Sequence, residues 1–566
     1  MTLSQPIVAS DTGGIDTPNG TILTTTGNVS GSGTIDKTGA GTWKQTGVST
    51  HTGDININGG ALQVDDTLPS NINVNPGGTL QGNGTAGGNV TNSGTVKPGD
   101  NNIGTLTIAG NYTQTANGIL DIEFKPNGIS DKLNVNGTAT LDGNLNLTLL
   151  PGIYPKSDPY VIINANPITG NFTSVSSSSS FPAEALITPN QFIITLSTQI
   201  VYPIAKDKLP ANQKNIANYL FCDNFPFEND NLVNLLQNLF QLSVSDYTKA
   251  LATLTPEHYG AIPIGESKCL QYLLTQNPPS CEPDCPITTQ TITLLPLYIR
   301  NQHHRSQAHI PNYLQNTGGV RLQHILSHLT GFQTQAALSY LHTHTCWADR
   351  RGNSNSNGVY LDTGISYNKN NFHFTLKLLG AYSSLSTTHH LFIGYPIKAK
   401  SSPHLWDLAE ALTFSYTQDW SCITINPRIT LTQTNIFLSS ITENKPKGLN
   451  LTTDSKTFSY LDTLVTLRIQ AQKTQCYCCV KPYLDIGYRN ITHLTNRQFT
   501  SKLDNYTACM CNFKTETYQG DSNTFFMEWG IAFSYKNDID VLFDYRTEAG
   551  KDEFVQAVNL GVAWRF

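Results

Sequence analysis

The sequence predicts an all-β protein in three parts: an N-terminal right-handed parallel β-helix, a short α-helical linker, and a C-terminal membrane β-barrel of about 12 antiparallel strands. Three observations predict it. First, only 13% of the 566 residues are Asp, Glu, Lys or Arg, against roughly 25% in an ordinary soluble domain. The mean hydropathy is nevertheless -0.25, so neutral polar residues replace the missing charge. Second, 44 Gly and only 3 Met favour strands over helices. Third, alternation of apolar and polar residues dominates both ends of the chain, with short segments in the first third and long ones in the second half.

The same numbers exclude several functions. A net charge of -6 and a pI of about 6.1 disfavour a nucleic-acid partner held by a basic surface. No run of 18 apolar residues exists, so a membrane-spanning helix is excluded, while membrane strands remain open. Residues 1–200 contain no Arg and no Cys and carry 6 Lys against 13 acidic residues, whereas all 11 Cys follow from Cys222 onward. So clean a division implies separate parts with different tasks.

Residues 1–200 read as a degenerate repeat. GDININGGALQV, SNINVNPGGTLQGNGT, GGNVTNSGTVKPGD and IGTLTIAGNYTQ each hold a short strand bounded by Gly, Asn or Pro. Gly59-Gly60 and Gly77-Gly78 lie 18 residues apart, and Leu62 and Leu80 keep that spacing. Such a period suits stacked parallel strands, with Asn and Thr free to form ladders between coils and Gly at sharp corners. The alternation at Ile55/Ile57, Ile72/Val74 and Leu106/Ile108 is too regular for a disordered polar tail.

Residues 201–287 form the linker. Leu232, Leu235, Leu236 and Leu239 make a helical stripe that Leu242 extends. Ser245 is placed to cap a second helix over Tyr247–Leu254, and Thr255-Pro256-Glu257 to restart a third.

Residues 288–566 read as the barrel. Phe525, Met527, Trp529, Ile531, Phe533 and Tyr535 share one face, and Phe526, Glu528, Gly530, Ala532, Ser534 and Lys536 the other. Val359, Leu361, Ile365 and Tyr367 oppose Asp362, Gly364 and Ser366 in the same way, as Phe372, Phe374, Leu376 and Leu378 oppose His373, Thr375 and Lys377. Small residues and isolated charges on the second face suit a polar lumen, and aromatics at strand ends suit interfacial girdles. The chain ends VNLGVAWRF: Val558, Leu560, Val562, Trp564 and Phe566 are apolar, and every residue between them is small or polar.

This layout resembles the classical monomeric autotransporters of type V secretion. VKPGDNNIGTLTIAGNYTQTANGILDIEF (96–124) looks like their passenger-associated repeat. DKLNVNGTATLDGNLNLTLLPG and YVIINANPITGNFTSV, within 131–175, look like the end of an autotransporter β-helix. The resemblance implies an outer-membrane barrel that secretes and displays its own passenger, with residues 96–200 as an autochaperone-like end and a helix within 257–276 threaded through the pore. It implies outer-membrane lipid, the general secretion translocon, periplasmic chaperones and barrel-assembly machinery as partners. Val558, Leu560, Val562, Trp564 and Phe566 would be the assembly signal. The passenger would serve adhesion to a host-cell or surface receptor, the alternative being a structural or antigenic surface protein, and after that an enzymatic passenger. Met1 is followed by TLSQPIVASDTGG, which lacks a basic and an apolar leader region. The family needs a secretory signal, so a mature, truncated or internally started chain is expected.

Cysteines depart from the family pattern. Cys281, Cys285, Cys476, Cys478, Cys479, Cys509 and Cys511 are candidates for disulfides in an oxidising periplasm rather than zinc ligands, because no second pair stands at zinc spacing. Asp11-Thr12-Gly13 and Asp362-Thr363-Gly364 mimic aspartic-protease motifs without a shared cleft. Gly520-Asp521-Ser522 has no catalytic partner nearby, and His303, His304 and His309 read as loop residues. No catalytic residue, cofactor or metal is expected.

Overall fold

The computed structural model describes the chain except residues 157–158, 178–182, 222–224, 228–229, 277–288, 305–310, 329–330, 349–350, 421–422, 445–449, 472, 476–477, 505–511, 519 and 536–537. It divides into two units. One comprises Met1–Pro203 with Pro226–Ser243, the other Ile204–Phe225 with Val244–Phe566.

The first unit is a parallel β-helix. One sheet runs through nine coils, from Thr2–Leu3 to Ser174–Ser177, and a second stacks eight strands from Gly13–Asp16 to Ile168–Gly170. A third stacks Thr67–Leu68, Thr85–Ala86, Thr105–Ile108, Lys132–Val135 and Pro159–Asn164, then turns antiparallel with Gln191–Leu196 and Ala183–Ile187. Leu62 pairs in register with Leu80, and Gly60 with Gly78, as their spacing predicts.

Register explains the core. Ile35, Ile55, Ile72, Val90, Tyr112, Ala139 and Ile168 stand one above another and are all buried. Each aliphatic side chain contributes roughly 1.5–3 kcal/mol by leaving water. The polar positions between them form the expected ladders. Asn56 Nδ2 donates to Asp36 Oδ1 at 2.8 Å, and Asn73 Nδ2 to Asn56 Oδ1 at 3.0 Å. Lys37 is buried, and its ammonium donates to the carbonyls of Thr38, Gly39 and Gly59 at 2.7–3.0 Å. Helix α2 (Asp230–Phe240) belongs to this unit, with Val233, Leu236, Leu239 and Phe240 buried.

In the second unit twelve strands among the described residues form a closed antiparallel barrel. They are β1 (Thr289–His303), β2 (Tyr313–Ser327), β3 (Phe332–Trp347), β4 (Gly352–Lys369), β5 (Phe372–Phe392), β6 (His404–Tyr416), β7 (Ile423–Leu438), β8 (Lys456–Ala471), β9 (Cys478–His493), β10 (Asn523–Tyr535), β11 (Ile539–Ala549) and β12 (Glu553–Arg565). Each pairs with the next, and β12 closes the ring on β1, from Thr291↔Arg565 to His303↔Glu553.

Helices α1 (Ala211–Leu220), α3 (Val244–Thr253) and α4 (Ala261–Thr275) complete this unit. Two local expectations are corrected. Helix α3 starts at Val244, so Ser245 lies in its first turn rather than capping it. Pro256 opens a 3-10 turn, Glu257–Gly260, instead of an α-helix, and α4 follows from that turn.

Candidate functional site: the plugged pore

The alternation along the strands sorts side chains into two environments. On β12, Val558, Leu560 and Trp564 face outward and Val555, Ala557, Asn559 and Ala563 inward. On β5, Phe372, Phe374, Leu376 and Leu378 are exposed while Lys377 is buried, and on β10 Phe525, Trp529, Ile531 and Phe533 oppose Phe526, Glu528 and Ala532. A continuous outward apolar belt on a closed barrel is a lipid-facing surface, because water would make it costly and hydrocarbon would not.

Aromatics bound the belt. Near one end Phe372 packs on Tyr416 at 5.0 Å and Phe332 on Tyr367 at 4.6 Å; near the other Tyr382 packs on Trp406 at 4.5 Å. Phe372 and Tyr382 are ten residues apart on β5. That is about 33 Å along a strand, and about 25 Å along the axis at a tilt near 40°, the height of an outer-membrane apolar band.

The two ends differ. Asn370 and Asn371 alone join β4 to β5, and Asn370 adopts φ 55°, a left-handed turn position that Asn tolerates. At the opposite end lie the longest connections, 439–455 and 494–522, whose described residues include a small antiparallel sheet of Ile441–Thr442, Asn450–Thr453, Gln498–Asp504 and Phe513–Glu516. Short turns face the periplasm and long loops the exterior in such barrels. The last residue, Phe566, lies at the short-turn end, where its N–H donates to Gln290 O at 2.9 Å.

Helix α4 fills the lumen. All fifteen of its residues are buried, and it packs against β1, β2, β5, β6 and β7. A side chain at Gly265 would collide with Gln315 of β2. Polar groups of the helix meet polar groups of the wall. Tyr360 donates its hydroxyl to Glu266 Oε1 at 2.5 Å, Lys268 Nζ lies 3.7 Å from Glu553 Oε2, Arg489 donates to Gln271 Oε1 at 3.3 Å, and Arg546 donates to Thr275 Oγ1 at 2.9 Å. Lys377 Nζ donates to Gln276 O at 3.1 Å. The wall holds itself in turn through Arg321–Asp362, Arg468–Asp485 (2.8 Å) and Arg546–Glu528 (2.7 Å).

At the long-loop end, α1 covers the small sheet. Asn212 exchanges two hydrogen bonds with the Glu516 backbone, both at 2.9 Å, and Tyr219 packs on Phe513 at 4.9 Å. Glu257, in the turn before α4, receives Arg351 at 2.5 Å and Asn212 at 2.8 Å. The chain therefore enters the lumen at the long-loop end and descends toward the short turns.

The other sequence candidates fall as follows. Asp362 is locked by Arg321 inside the lumen, and Asp11 is exposed in the other unit. Asp521 accepts the N–H groups of Asp552 and Glu553, so it staples a loop. His303, read as a loop residue, is instead the buried last residue of β1 and stacks on Tyr313 at 5.4 Å. Cys281, Cys285, Cys476, Cys509 and Cys511, the side chains of Cys478 and Cys479, and His309 lie outside the described residues. Cys269 is a buried thiol of α4 and Cys346 an exposed one of β3. The sequence did not single out the wall partners of α4, because their spacing across strands leaves no linear motif.

A closed barrel with a lipid-facing belt and its own upstream helix through the lumen defines an outer-membrane translocator. The family model for the autotransporter beta-domain matches residues 297–546. The barrel region thus matches the autotransporter beta-domain, and the barrel belongs in the outer membrane with the residues before it at the cell surface. It is 36% identical over 123 residues to an extracellular serine protease of Serratia marcescens, covering 22% of this chain and 12% of that protein. It is 33% identical over 146 residues to the adhesin BmaC autotransporter of Brucella suis biovar 1 (strain 1330), covering 26% of this chain and 4% of that protein. The chain thus spans a small fraction of these relatives' lengths. Among solved structures, the translocator domain of NalP from Neisseria meningitidis aligns with a TM-score of 0.41 at 13% identity over 55% of this chain and 96% of that one. The beta domain of BrkA from Bordetella aligns at 0.39 and 12% over 50% and 100%.

Proposed function

We propose that the barrel delivers and anchors the β-helix of residues 1–200 for adhesion to a host-cell or surface receptor, with the assembly machinery reading Val558, Leu560, Val562, Trp564 and Phe566. The observation that carries the display reading is the direction of α4, which leaves the chain before it at the long-loop end of the barrel. Stacked coils fold onward from a nucleated end, so folding outside, starting from residues 96–200, can draw the chain through without ATP.

Adhesion is favoured by the surface of the β-helix. A groove of about 700 Å³ is lined by Asn134, Asn136, Asn164, Asn166, Asn190 and Gln191. Its amides offer both donors and acceptors, the chemistry that hydroxyl-rich ligands meet. An enzymatic passenger is less well supported. His51 does bond Ser70 Oγ at 2.7 Å, but both residues are fully buried and His51 Nε2 is held by Gly33 O at 2.8 Å, so no substrate reaches the pair.

The test is display followed by binding. The chain is expressed behind a secretory signal with an epitope tag near residue 20. Protease on intact cells should remove the tag and leave a heat-modifiable barrel. Deleting residues 1–200 should then abolish cell attachment while the barrel still inserts. Attachment that survives the deletion would refute adhesion by the β-helix, and a tag protected on intact cells would refute display.

A further inference from the structure

We infer that His258, His389 and Glu443 form a binding site for one divalent transition-metal cation of the zinc class, which pins the head of the pore helix to the barrel mouth. The three residues come from three different elements. His258 lies in the turn that feeds α4, His389 near the long-loop end of β5, and Glu443 in the connection between β7 and β8. Their ligand atoms all lie within 4.8 Å of one another, and all three residues are buried, at 0–1% exposure.

The donor set decides the class of ion. Two imidazoles and one carboxylate are borderline nitrogen and oxygen ligands, suited to zinc and its neighbours, whereas calcium and magnesium take oxygen alone. Three protein ligands leave a fourth position for water. Donors in a tetrahedral zinc site stand about 3.3 Å apart, given metal–ligand bonds near 2.0 Å. His389 Nδ1 and Glu443 Oε1 are already 2.7 Å apart, and the His258 and His389 rings face each other at 3.9 Å. To reach that spacing the His389–Glu443 hydrogen bond would open slightly and the widest donor separation, within 4.8 Å, would close.

The surroundings are those of a supported metal site. Tyr259 donates its hydroxyl to Glu443 Oε1 at 3.0 Å, and Ser401 meets that hydroxyl at 2.9 Å, so the carboxylate is held by a further layer of hydrogen bonds. The Trp347 ring stands edge-on to His258 at 4.8 Å and walls the cluster. Glu257, next in sequence, is occupied by Arg351 and Asn212, so it stays outside the donor set. A cation here would bridge the segment that has just crossed the pore to two parts of the barrel that never moved. It would act as a lock set after translocation.

The test uses the full-length, tag-free protein folded in detergent, with accessible thiols blocked by iodoacetamide so that cysteine cannot compete. Zinc chloride titration should show one equivalent bound, and cobalt(II) should give a low-coordinate visible spectrum without thiolate charge transfer. His389→Gln and Glu443→Gln should each weaken that binding by more than about 100-fold, and Tyr259→Phe by about 10-fold, as supporting partners typically do. His324→Gln, at an exposed position of β2, should change nothing. Zinc should also raise the temperature at which the folded barrel band converts to the unfolded one, in the wild type only. For variants that fail to fold, the wild type alone decides: X-ray absorption of the zinc-loaded protein should show two imidazole nitrogens and oxygen donors with no sulfur. Absence of stoichiometric binding, equal binding by the ligand variants, or a zinc shell without imidazole would overturn the site.

Discussion

The Tyr360 hydroxyl of strand β4 donates to Glu266 Oε1 of helix α4 at 2.5 Å, joining wall to plug in the middle of the lumen. Both residues are buried, at 1% and 3% exposure. A hydrogen bond contributes about 0.5–1.5 kcal/mol net, and about 1.5–3 kcal/mol where the acceptor is charged. Tyr360→Phe keeps the ring and removes the donor. The expected outcome is a normally inserted barrel whose plug is held more loosely. In planar lipid bilayers the variant should open more often than the wild type, and equal opening frequencies would show that the bond does not retain the helix.

Stability of the β-helix should depend on pH through Asp131. Its carboxylate is fully buried and accepts the N–H groups of Gly104 and Glu123, each at 2.8 Å. Burial pushes its pKa up to about 7, against those two bonds, which favour the charged form. The unfolded chain releases this proton near pH 4. Between about pH 4 and 7 the folded state therefore binds more protons than the unfolded state, and stability falls as pH rises through that window. Urea unfolding followed by Trp43, the only tryptophan before Trp347, should show a higher midpoint at pH 5 than at pH 7.5. Asp131→Asn should shrink that difference, and an unchanged difference would assign the pH dependence to other groups.

Much of this architecture was legible in the chain because register and alternation are linear signals. Leu62 and Leu80 pair across coils at their sequence spacing, and the Phe525-to-Phe533 alternation survives as an outward and an inward face. What was not legible depends on strands distant in sequence. Glu266 finds Tyr360 94 residues away, and His389 finds Glu443 at 54. Neither pair has a spacing that a helix or strand period would flag. The helix starts were misread by a residue or more: Ser245 falls in the first turn of a helix that begins at Val244, and Pro256 opens the 3-10 turn Glu257–Gly260 rather than an α-helix.

The lipid belt should tolerate charge according to depth. Leu376 lies between the two aromatic rows on β5 and is 40% exposed, whereas Phe372 belongs to the short-turn row. Arginine on the lipid face costs about 2–4 kcal/mol at the midplane and about 0–1 kcal/mol near an interface. Leu376→Arg should therefore lower refolding stability in lipid vesicles by that larger amount, and Phe372→Arg by little more than its lost ring contacts. Equal losses at both positions would mean that the belt is misplaced along β5.

The terminal strand separates a recognition role from a structural one. Phe566 is 74% exposed, so its ring contributes little to packing within the chain. Its backbone exchanges two hydrogen bonds with Gln290, at 2.9 and 3.2 Å, one rung beyond Thr291↔Arg565 on the seam between β1 and β12. Removing Phe566 therefore deletes about two exposed backbone bonds, worth on the order of 1–3 kcal/mol together. Refolding of the purified protein into detergent should be nearly unaffected, because eleven register pairs remain on that seam. Insertion in cells depends instead on whether the assembly machinery reads the aromatic end. If it does, the truncated chain should yield several-fold less heat-modifiable barrel in the outer membrane, and Phe566→Trp should restore most of it while Phe566→Ser should not. A truncated chain that inserts as well as the full one would leave Phe566 as a seam residue alone.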